Sequence, residues 1–327
     1  MLDDECLKVQ DSCVNVHNDP LEDVLTLVGT SSSLSAGLVA GGDWAVSFAP
    51  AAAVKFNAVR KGNCLLLVED KVYPLAPGDC FLLTRPVAFT LASDLTLPTI
   101  PAGVIFADGL GRAGSGDDVH LIGGRFDFGE RAQELLLDAL PPVVHVPGET
   151  AGAVRWALGQ IEAEQRDRPL ASTLVTEHLA LIMLIHVLRA HLASSAPPAG
   201  WLAGLSDPVV APVLRAMHAR PAYAWTVAEL ATVAAVSRST LAARFRRVVG
   251  QGTLDYLTRW RIELAAARLR RGDDTVAAIA REVGYASESA LSNAFKRVTG
   301  RSPRAYRNAF SPSLAAQRAS RSGFAAG

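Results

Sequence analysis

The sequence predicts an α+β protein with two domains: an N-terminal β-barrel with two helices, and a C-terminal all-α region with two helix-turn-helix units. Three observations predict this fold class. Short strand patterns fill residues 44–92, one segment of the C-terminal third occurs twice, and the two halves differ in charge. A length of 327 residues gives room for two domains of ordinary size.

The net charge of zero hides two halves of opposite sign. Residues 1–207 hold 13 Lys and Arg against 25 Asp and Glu, a net charge of −12, whereas residues 208–327 hold 19 against 7, a net charge of +12. A basic half of this kind indicates a region that binds a polyanion, joined to a second module. The simpler alternative is a charged, solvated surface.

Six short apolar patterns follow one another in residues 44–92. They read WAVSF, VKFNAV, CLLLVE, VYPL, CFLLT and AFTLA, separated by the turn signals Ala-Pro, Lys-Gly-Asn, Glu-Asp-Lys and Pro-Gly-Asp. Regular short strands of this kind are typical of a β-barrel or jelly roll, an architecture that can enclose a small molecule.

Strand alternation places Lys55, Asn57 and Val59 on one face. If that face is turned inward, the barrel holds an ammonium group that needs a partner, and a ligand carboxylate or phosphate would serve. The alternative is that Lys55 extends out of the barrel mouth. The candidate ligand-binding residues, of which the aromatic ones are more often core, are Trp44, Lys55, Asn57, Phe81 and Phe89.

Two helical patterns follow at residues 149–165 and 171–191. The second is apolar on more than one face, which predicts burial both against the barrel and against a two-fold partner. Its apolar run at 179–188 contains His186 and is too short to span a bilayer. No membrane association is therefore expected.

Composition also predicts the domain boundaries. The N-terminal barrel with its two helices is expected at 19–193 and the C-terminal helical region at 207–310, with a Pro- and Ser-rich linker at 194–206. The remaining segments, 1–18 and 311–327, are expected to be disordered tails.

The C-terminal third contains an internal repeat. Residues 228–250, AELATVAAVSRSTLAARFRRVVG, are similar to residues 277–300, AAIAREVGYASESALSNAFKRVTG. Each copy predicts a short helix, a tight turn and a second helix, which is the helix-turn-helix whose second helix fits the DNA major groove. Residues 255–271 predict a long helix that holds the units at fixed spacing, roughly 34 Å if both enter one DNA face.

The ends of the second helices are marked by capping residues. Ser237 and Ser287 stand at predicted N-caps, and Gly250 and Gly300 stand where the helices must end. Two aligned copies within a basic segment favour DNA binding over simple packing of helical hairpins.

The repeat and the ending GYxS…FKRVTGRSPRAYR resemble the AraC/XylS family of bacterial transcription regulators, over residues 211–307. The resemblance implies that the helices beginning at Ser237 and Ser287 read double-stranded DNA. The DNA-binding residues that it implies are Arg238, Ser239, Ala242, Ala243 and Arg246 in the first unit, and Ser287, Glu288, Ser289, Ser292, Asn293 and Lys296 in the second.

The chemistry of these side chains divides their roles. Arg238, Arg246 and Lys296 can neutralise phosphates, which supplies affinity without base choice. Asn293 can pair with adenine and Glu288 with cytosine, while the alanines can contact thymine methyl groups.

Two features of the first unit depart from the family pattern. Ala235 stands where the family usually has glycine, which predicts a slightly different turn. The first reading helix carries small side chains where the family often has large polar ones, so we expect it to specify few bases. Arg244 could reach a guanine or a phosphate, and the sequence leaves both open.

The segment at 59–84, VRKGNCLLLVEDKVYPLAPGDCFLLT, resembles the cupin-like sensor domain that precedes the DNA-binding part of many AraC-type regulators. Enzymatic cupins bind a metal through histidines and a carboxylate. The corresponding positions here hold Ala49, Ala51, Lys55 and Phe89, which are not plausible ligands. No metal or cofactor is expected, and a metal-dependent cupin enzyme is the less favoured alternative.

Cys64 and Cys80 open two strands that could be neighbours, whereas Cys6 and Cys13 lie in the N-terminal tail. The four cysteines form no CxxC pair, which favours a reducing compartment. A redox-responsive or electrophile-responsive regulator that uses Cys64 and Cys80 is the main alternative, although buried cysteines are usually small hydrophobes.

Together these observations predict a cytoplasmic, non-enzymatic, sequence-specific DNA-binding transcription regulator whose barrel senses a small effector. Its expected partners are double-stranded DNA, an unidentified small molecule and a second copy of the chain, with RNA polymerase as a further candidate. The sequence does not identify the effector or the operator.

Overall fold

The computed structural model describes residues 19–51, 53–107, 109–129, 131–194, 200–272 and 274–310. It divides into an N-terminal body, residues 28–202, and a C-terminal body, formed by residues 203–327 with the start of the chain up to Leu27. Cys6, Cys13, both predicted tails and residues 195–199 of the predicted linker lie outside the described residues.

The described strands all belong to the N-terminal body and form two sheets. The strands are β1 (Thr30–Gly41), β2 (Ala45–Phe48), β3 (Val54–Lys61), β4 (Cys64–Val68), β5 (Lys71–Leu75), β6 (Cys80–Leu83), β7 (Phe89–Ala92), β8 (Ile100–Pro101), β9 (Gly111–Gly114), β10 (Val119–Phe128) and β11 (Val143–Val146). The first sheet has the order β11-β6-β3-β10-β1-β9 and the second has the order β5-β4-β7-β2-β8. They are two separate hydrogen-bonded sheets and not one closed barrel.

The core of this body lies between the two sheets. Its buried side chains alternate along the strands, as a two-layered β structure requires. Val46, Leu66 and Leu91 come from the second sheet, and Val59 and Phe81 come from the first. Because Val59 faces this core, Lys55 and Asn57 on the same strand face it too, as the alternation of the sequence predicts.

The described helices are distributed over both bodies. The N-terminal body has α2 (Ala102–Ile105), α3 (Ala132–Leu135), a 3₁₀ turn (Leu137–Ala139), α4 (Gly152–Asp167) and α5 (Ser172–Ala193). The C-terminal body begins with α1 (Pro20–Val28) and continues with α7 (Val210–Ala219), α8 (Val227–Val233), α9 (Arg238–Val249), α10 (Thr253–Arg271), α11 (Val276–Glu282), α12 (Glu288–Thr299) and α13 (Pro303–Phe310). The helix α6 (Gly200–Gly204) stands at the boundary between the bodies.

Helix α5 is longer than the apolar run that the sequence shows. Polar flanking residues are also helical, so the helix has 22 residues and is long and apolar enough to cross a membrane. Leu179, Met183, Leu184, Val187 and Leu188 are nevertheless buried within the body. A single helix of this kind is weak evidence for a membrane span, since core helices of soluble proteins can be equally long and apolar.

The C-terminal body contains the two predicted helix-turn-helix units, α8–α9 and α11–α12, joined by α10. The side chain of Ser237 accepts a hydrogen bond from the Thr240 amide, and that of Ser287 accepts one from the Ala290 amide. Gly250 and Gly300 end α9 and α12 with left-handed backbones. The predicted N-caps and helix ends are all present.

Two segments differ from the predicted domain boundaries. Residues 200–204, expected to be part of a linker, form α6, in which the Trp201 indole donates to the Leu135 carbonyl at 2.6 Å. Helix α1, expected in the sensor domain, folds with the C-terminal body because Leu21 and Val24 are buried and Asp23 bonds to His218 at 2.9 Å.

Candidate nucleic-acid interface and effector cavity

Helix α9 has one buried face and one exposed face. Leu241, Phe245 and Val249 are buried and fix the helix on the C-terminal body. The five predicted DNA-binding positions of this unit all lie on the exposed face: Arg238, Ser239, Ala242, Ala243 and Arg246. The separation arises because the apolar residues recur at helical spacing and the predicted readers lie between them.

Helix α12 repeats this arrangement. Leu291, Ala294 and Phe295 are buried, while Ser289, Asn293 and Lys296 are exposed. Two of the remaining predicted DNA-binding residues, Glu288 and Ser292, are half-buried, whereas Ser287 is exposed and is the N-cap. The Ser287 hydroxyl is therefore engaged with the Ala290 amide, at 3.2 Å.

Exposed cations lie on both α9 and α12. Within the described residues, the side chains of Arg238, Arg246, Lys296 and Arg297 have no hydrogen bond or ion pair with the protein. Their guanidinium and ammonium groups are available for an external anion such as a phosphate. The C-terminal turns of α9 and α12 are also the ends at which cations are favoured by the helix dipole.

Two polar side chains of these helices are engaged within the protein. Arg244 pairs with Asp207 at 2.7 Å, and Asp207 also accepts hydrogen bonds from the amides that begin α7. Burial opposes ionisation of Asp207, but Arg244 and these amides hold the pKa of its carboxyl below the ordinary value. Arg244 thus joins α9 to α7, an internal contact that neither sequence alternative considered.

Glu288 forms a second such contact, with Arg304 on α13 at 3.3 Å. Both side chains are substantially exposed, so water screens this pair and it contributes little stability. A cytosine amino group would have to compete with Arg304 for the Glu288 carboxylate.

A small cavity lies between the two sheets of the N-terminal body. It has a volume of about 50 Å³ and is lined by Leu38, Phe48, Lys55, Asn57, Phe89, Leu91, Phe106, Gly123 and Gly124. The Phe48 and Phe89 rings stack with centroids 4.4 Å apart, and Phe106 lies 6.2 Å from Phe48. Of the predicted ligand-binding residues, Lys55, Asn57 and Phe89 line this cavity, whereas Trp44 and Phe81 belong to the surrounding core.

The polar side of the cavity carries positive charge. The Lys55 side chain makes no hydrogen bond or ion pair within the described residues. Directly opposite it on β10 stands Arg125, whose side chain bonds to Asp127 at 3.0 Å. Asp127 therefore offsets the charge of Arg125, while the ammonium group of Lys55 has no such carboxylate.

A larger, open groove of about 610 Å³ borders β1 and the connection between α4 and α5. Its lining is mostly polar and includes Ser33, Gln165, Arg168, Thr173 and Thr176. No local sequence pattern indicates this groove, because its residues come from a serine-rich strand and a helix connection far apart in the chain. Ligand pockets are usually more apolar and enclosed than this groove, although its volume, unlike that of the inter-sheet cavity, lies within their usual range.

The two described cysteines are buried and lie in different sheets. Cys64 is on β4, next to β5 and β7, whereas Cys80 is on β6, next to β3 and β11. The prediction that their strands are neighbours was therefore wrong. Burial, with a smaller effect from the nearby Asp79 charge, raises the pKa of each thiol to about 12. Such thiols are protonated at neutral pH and react slowly.

The described histidines do not form a metal site. His145 bonds to the Asp79 carboxylate at 3.1 Å, and the other Asp79 oxygen accepts the Gly148 amide at 2.7 Å. Across the described part of the chain, no three His, Cys, Asp or Glu side chains form a group that could hold a metal ion.

A strand-rich body with an inter-sheet cavity, joined to a helical body with two helix-turn-helix units, defines the class: a cupin fused to a DNA-binding module. The cupin family model matches residues 19–193, and the helix-turn-helix domain model matches residues 230–309. The matched domains thus agree with the two kinds of architecture seen in the bodies.

Curated relatives then identify the family. An AraC-like transcription regulator from Streptomyces lividans is 63% identical over 281 residues, covering 83% of this chain and 92% of the relative. The regulator AlkR of Acinetobacter baylyi is 31% identical, covering 76% of this chain and 86% of AlkR. The chain belongs to the AraC family of transcription regulators and is a DNA-binding regulator with a cupin-like N-terminal domain.

A solved structure is similar to the C-terminal part. The DNA-binding domain of AdpA in complex with a target DNA is 35% identical, with a TM-score of 0.31. The match covers 32% of this chain and 94% of that domain.

Proposed function

We propose that this regulator reads duplex DNA with α9 and α12 and that a small anionic effector in the inter-sheet cavity controls its binding. The observation that carries the first part is the duplicated surface of exposed polar and cationic side chains on two capped helices. Such helices fit the major groove, where base edges are distinguishable.

The proposed DNA contacts are of two kinds: contacts to phosphates, which supply affinity, and contacts to base edges, which supply sequence preference. Replacement of Arg246 or Lys296 by alanine removes one phosphate contact, so binding weakens for all sequences and the slope of log affinity against log salt falls by about one unit. Asn293→Ala instead removes a bidentate donor and acceptor, so preference at one base pair relaxes by about 1–3 kcal/mol. Both effects are measured with the full chain on DNA selected from a random pool.

The matched control for these variants is Arg112→Ala, since Arg112 is an exposed arginine of the N-terminal body. It is expected to leave both the salt slope and the base preference unchanged. Unchanged salt slopes in the Arg246 and Lys296 variants would contradict phosphate contacts by these side chains. Uniform weakening by Asn293→Ala, with no loss of base preference, would contradict its proposed role.

The effector proposal is supported by the cation that the cavity leaves without a partner. Lys55 and Asn57 supply donors, and Phe48, Phe89 and Phe106 supply apolar contacts, a combination that suits a small carboxylate or phosphate with an apolar part. The volume of about 50 Å³ admits only a very small molecule, so a larger effector requires Phe48 and Phe106 to move.

The test is thermal unfolding of the full chain in the presence of a panel of small aliphatic and aromatic carboxylates and phosphates. A bound anion at 100 times its Kd stabilises the protein by about 2.7 kcal/mol. The Lys55→Met variant is expected to lose this stabilisation, whereas Lys71→Met, at an exposed lysine on β5, is expected to keep it. Equal stabilisation of both variants would place the anion elsewhere.

A covalent route for coupling runs through the start of the chain. Leu38 on β1 lines the cavity, and one residue, Gly29, separates β1 from α1, which is folded into the C-terminal body. An effector that shifts β1 can therefore change the equilibrium of the DNA-binding body, provided that it prefers one arrangement over the other.

The proposed regulator acts as a homodimer in the cytoplasm, without catalytic activity of its own. The dimer is supported by exposed apolar side chains on α4 and α5, including Trp156, Leu174 and Val175. RNA polymerase is the partner through which such a regulator would activate transcription.

A further inference from the structure

Arg261, in the middle of α10, contacts both helix-turn-helix units. Its Nε donates to the Pro221 carbonyl at 2.6 Å, and its Nη2 donates to the Tyr223 carbonyl at 2.7 Å. Its Nη1 donates to the Gly284 carbonyl at 3.4 Å. Pro221 and Tyr223 directly precede the first unit, whereas Gly284 forms the turn of the second.

Gly284 brings that second turn into direct contact with residues 221–223. Its φ is +84°, and a Cβ at this position would lie 2.4 Å from the Ala222 carbonyl oxygen and 2.7 Å from the Ala222 Cα. Only glycine permits both the left-handed backbone and this close approach of two main chains. The contact is therefore specific to this pair of segments.

The segment 221–223 is firmly attached to the first unit. The Arg220 guanidinium carbon lies 4.8 Å from the ring centroid of Tyr223 and 4.7 Å from that of Trp225. The Tyr223 hydroxyl donates to Glu229 at 2.7 Å, and Glu229 forms the capping box of α8 with Thr226. Residues 221–223 therefore move together with α8 and with the turn before α9.

The charged hydrogen bonds of Arg261 are partly shielded from water. The guanidinium is half-buried, and this burial lowers the pKa of Arg261 from its ordinary value, although it stays charged at neutral pH. Hydrogen bonds from an ionised donor are stronger than neutral ones, and a planar guanidinium directs its donors along fixed lines. Three such bonds restrain both position and orientation.

We propose that Arg261, Gly284 and residues 221–223 form a clasp that fixes the separation and orientation of α9 and α12. Helix α10 already packs on both units, through Tyr256 against Phe245 of α9 and through a core that Leu269 shares with Phe295 of α12. The clasp adds a direct, directional restraint between the two units to this apolar packing. The clasp makes Arg261 a positioning residue that sets the spacing at which two DNA half-sites are accepted. The inference rests on the proposed reading of DNA by both helices.

The experiment uses the full chain and a selected DNA site in which one or two base pairs are inserted or removed between the half-sites. Each added base pair rotates the second half-site by about 34° and moves it by about 3.4 Å. The wild-type protein is expected to lose affinity by about tenfold for each change of one base pair, comparable to a mismatch. For Arg261→Met, which keeps the aliphatic stem, we expect this dependence to shrink to about threefold.

The matched control is Arg259→Met, the same change at an exposed arginine on α10. It is expected to keep the spacing profile of the wild type. Thermal unfolding reports whether each variant is folded, and Arg261→Lys, which keeps the charge without the planar fork, should give an intermediate profile. A stability loss without a change of profile would assign Arg261 a purely structural role and overturn the inference.

Two failures are distinguishable. If the wild type discriminates between spacings and Arg261→Met does so equally, the clasp is contradicted while two-helix reading stands. If the wild type itself binds all spacings equally, the proposed reading by both helices fails, and the clasp fails with it.

Discussion

The residue Ala235 shows how the first turn keeps its geometry without glycine. Its φ of 54° is left-handed, as is the φ of 84° at the equivalent Gly284. In both units the amide after this residue bonds to a carbonyl five residues earlier. Replacing the family's glycine by Ala235 thus changes the geometry of the turn only slightly. It costs backbone strain instead, about 1–2 kcal/mol for a residue with a Cβ in the left-handed region.

We therefore expect Ala235→Gly to stabilise the protein. The side chain is exposed, so the change removes strain without loss of packing, and the gain should reach about 1 kcal/mol after the entropy cost of glycine. Urea unfolding followed by tryptophan fluorescence measures it. Ala234→Gly is the control, because Ala234 has an ordinary φ of −86° and should only lose stability. Equal effects of both variants would contradict strain at Ala235.

At the scale of elements, the strands that the sequence predicted are short runs of mostly apolar residues between turn signals. All six patterns in residues 44–92 form strands, β2 to β7. In contrast, β1 has the sequence TSSSLSAGLVAG, whose serines, alanines and glycines give no strand pattern. It is held as a strand by pairing with β10 and β9, a tertiary effect that local propensity does not contain.

The candidate site, like the strands, was predictable only where the signals are local in sequence. The ends and the exposed faces of α9 and α12 could be placed because capping and helical periodicity are local signals. The individual DNA-binding residues came from the resemblance to the AraC family and stay predictions. The pairs Arg244–Asp207 and Glu288–Arg304 could not be placed in this way, since they join elements separated by a tight turn or a whole helix. The expectation that β4 and β6 could be neighbours was wrong for the same reason. Strand order depends on contacts between residues that are distant in sequence.

The elements α4 and α5 carry the proposed dimer surface. Leu174, Val175 and Ile182 are exposed and lie on one face of α5, since their spacing corresponds to about two turns. Ile182→Glu should weaken the dimer by about tenfold or more, because burying an unpaired carboxylate in an apolar interface is costly. Sedimentation equilibrium over a range of concentrations measures this change.

The control for this variant is Val72→Glu, at an exposed apolar residue on β5. It introduces the same charge into the same body, away from α4 and α5, and should leave self-association unaltered. A wild-type chain that stays monomeric at protein concentrations of roughly tens of micromolar would contradict the dimer proposal.

For the whole molecule, α1 shows that a segment preceding all the described strands folds with the C-terminal body. The cupin match begins at residue 19, yet α1 is part of the C-terminal body. Nε2 of His218 on α7 lies 2.8 Å from the Tyr256 hydroxyl, Nδ1 lies 2.9 Å from the Asp23 carboxylate on α1, and the ring stacks on Trp260 at 4.1 Å. Burial lowers the pKa of His218 and so favours the neutral imidazole, in which Nδ1 donates to Asp23 and Nε2 accepts from Tyr256.

Protonation of His218 should therefore destabilise the C-terminal body. Burial lowers the pKa of His218 from its ordinary value, and the opposing effects of Asp23 and Asp19 are smaller. A depressed histidine pKa means that the unfolded chain takes up a proton first as the pH falls. Its contribution to stability is thus complete above about pH 6.5 and is lost below it, by at most about 1.4 kcal/mol per pH unit.

The variant His218→Gln isolates this effect, because an amide can still donate to Asp23 and accept from Tyr256 but does not titrate. Between pH 7 and pH 5, urea unfolding of the wild type should show a steeper loss of stability than the variant, and the difference should grow with acidification. Other carboxylates and histidines contribute equally to both proteins and cancel in the comparison. Parallel pH profiles would mean that His218 binds its proton as readily in the folded chain as in the unfolded one, and the neutral link between α1 and α7 would then be excluded.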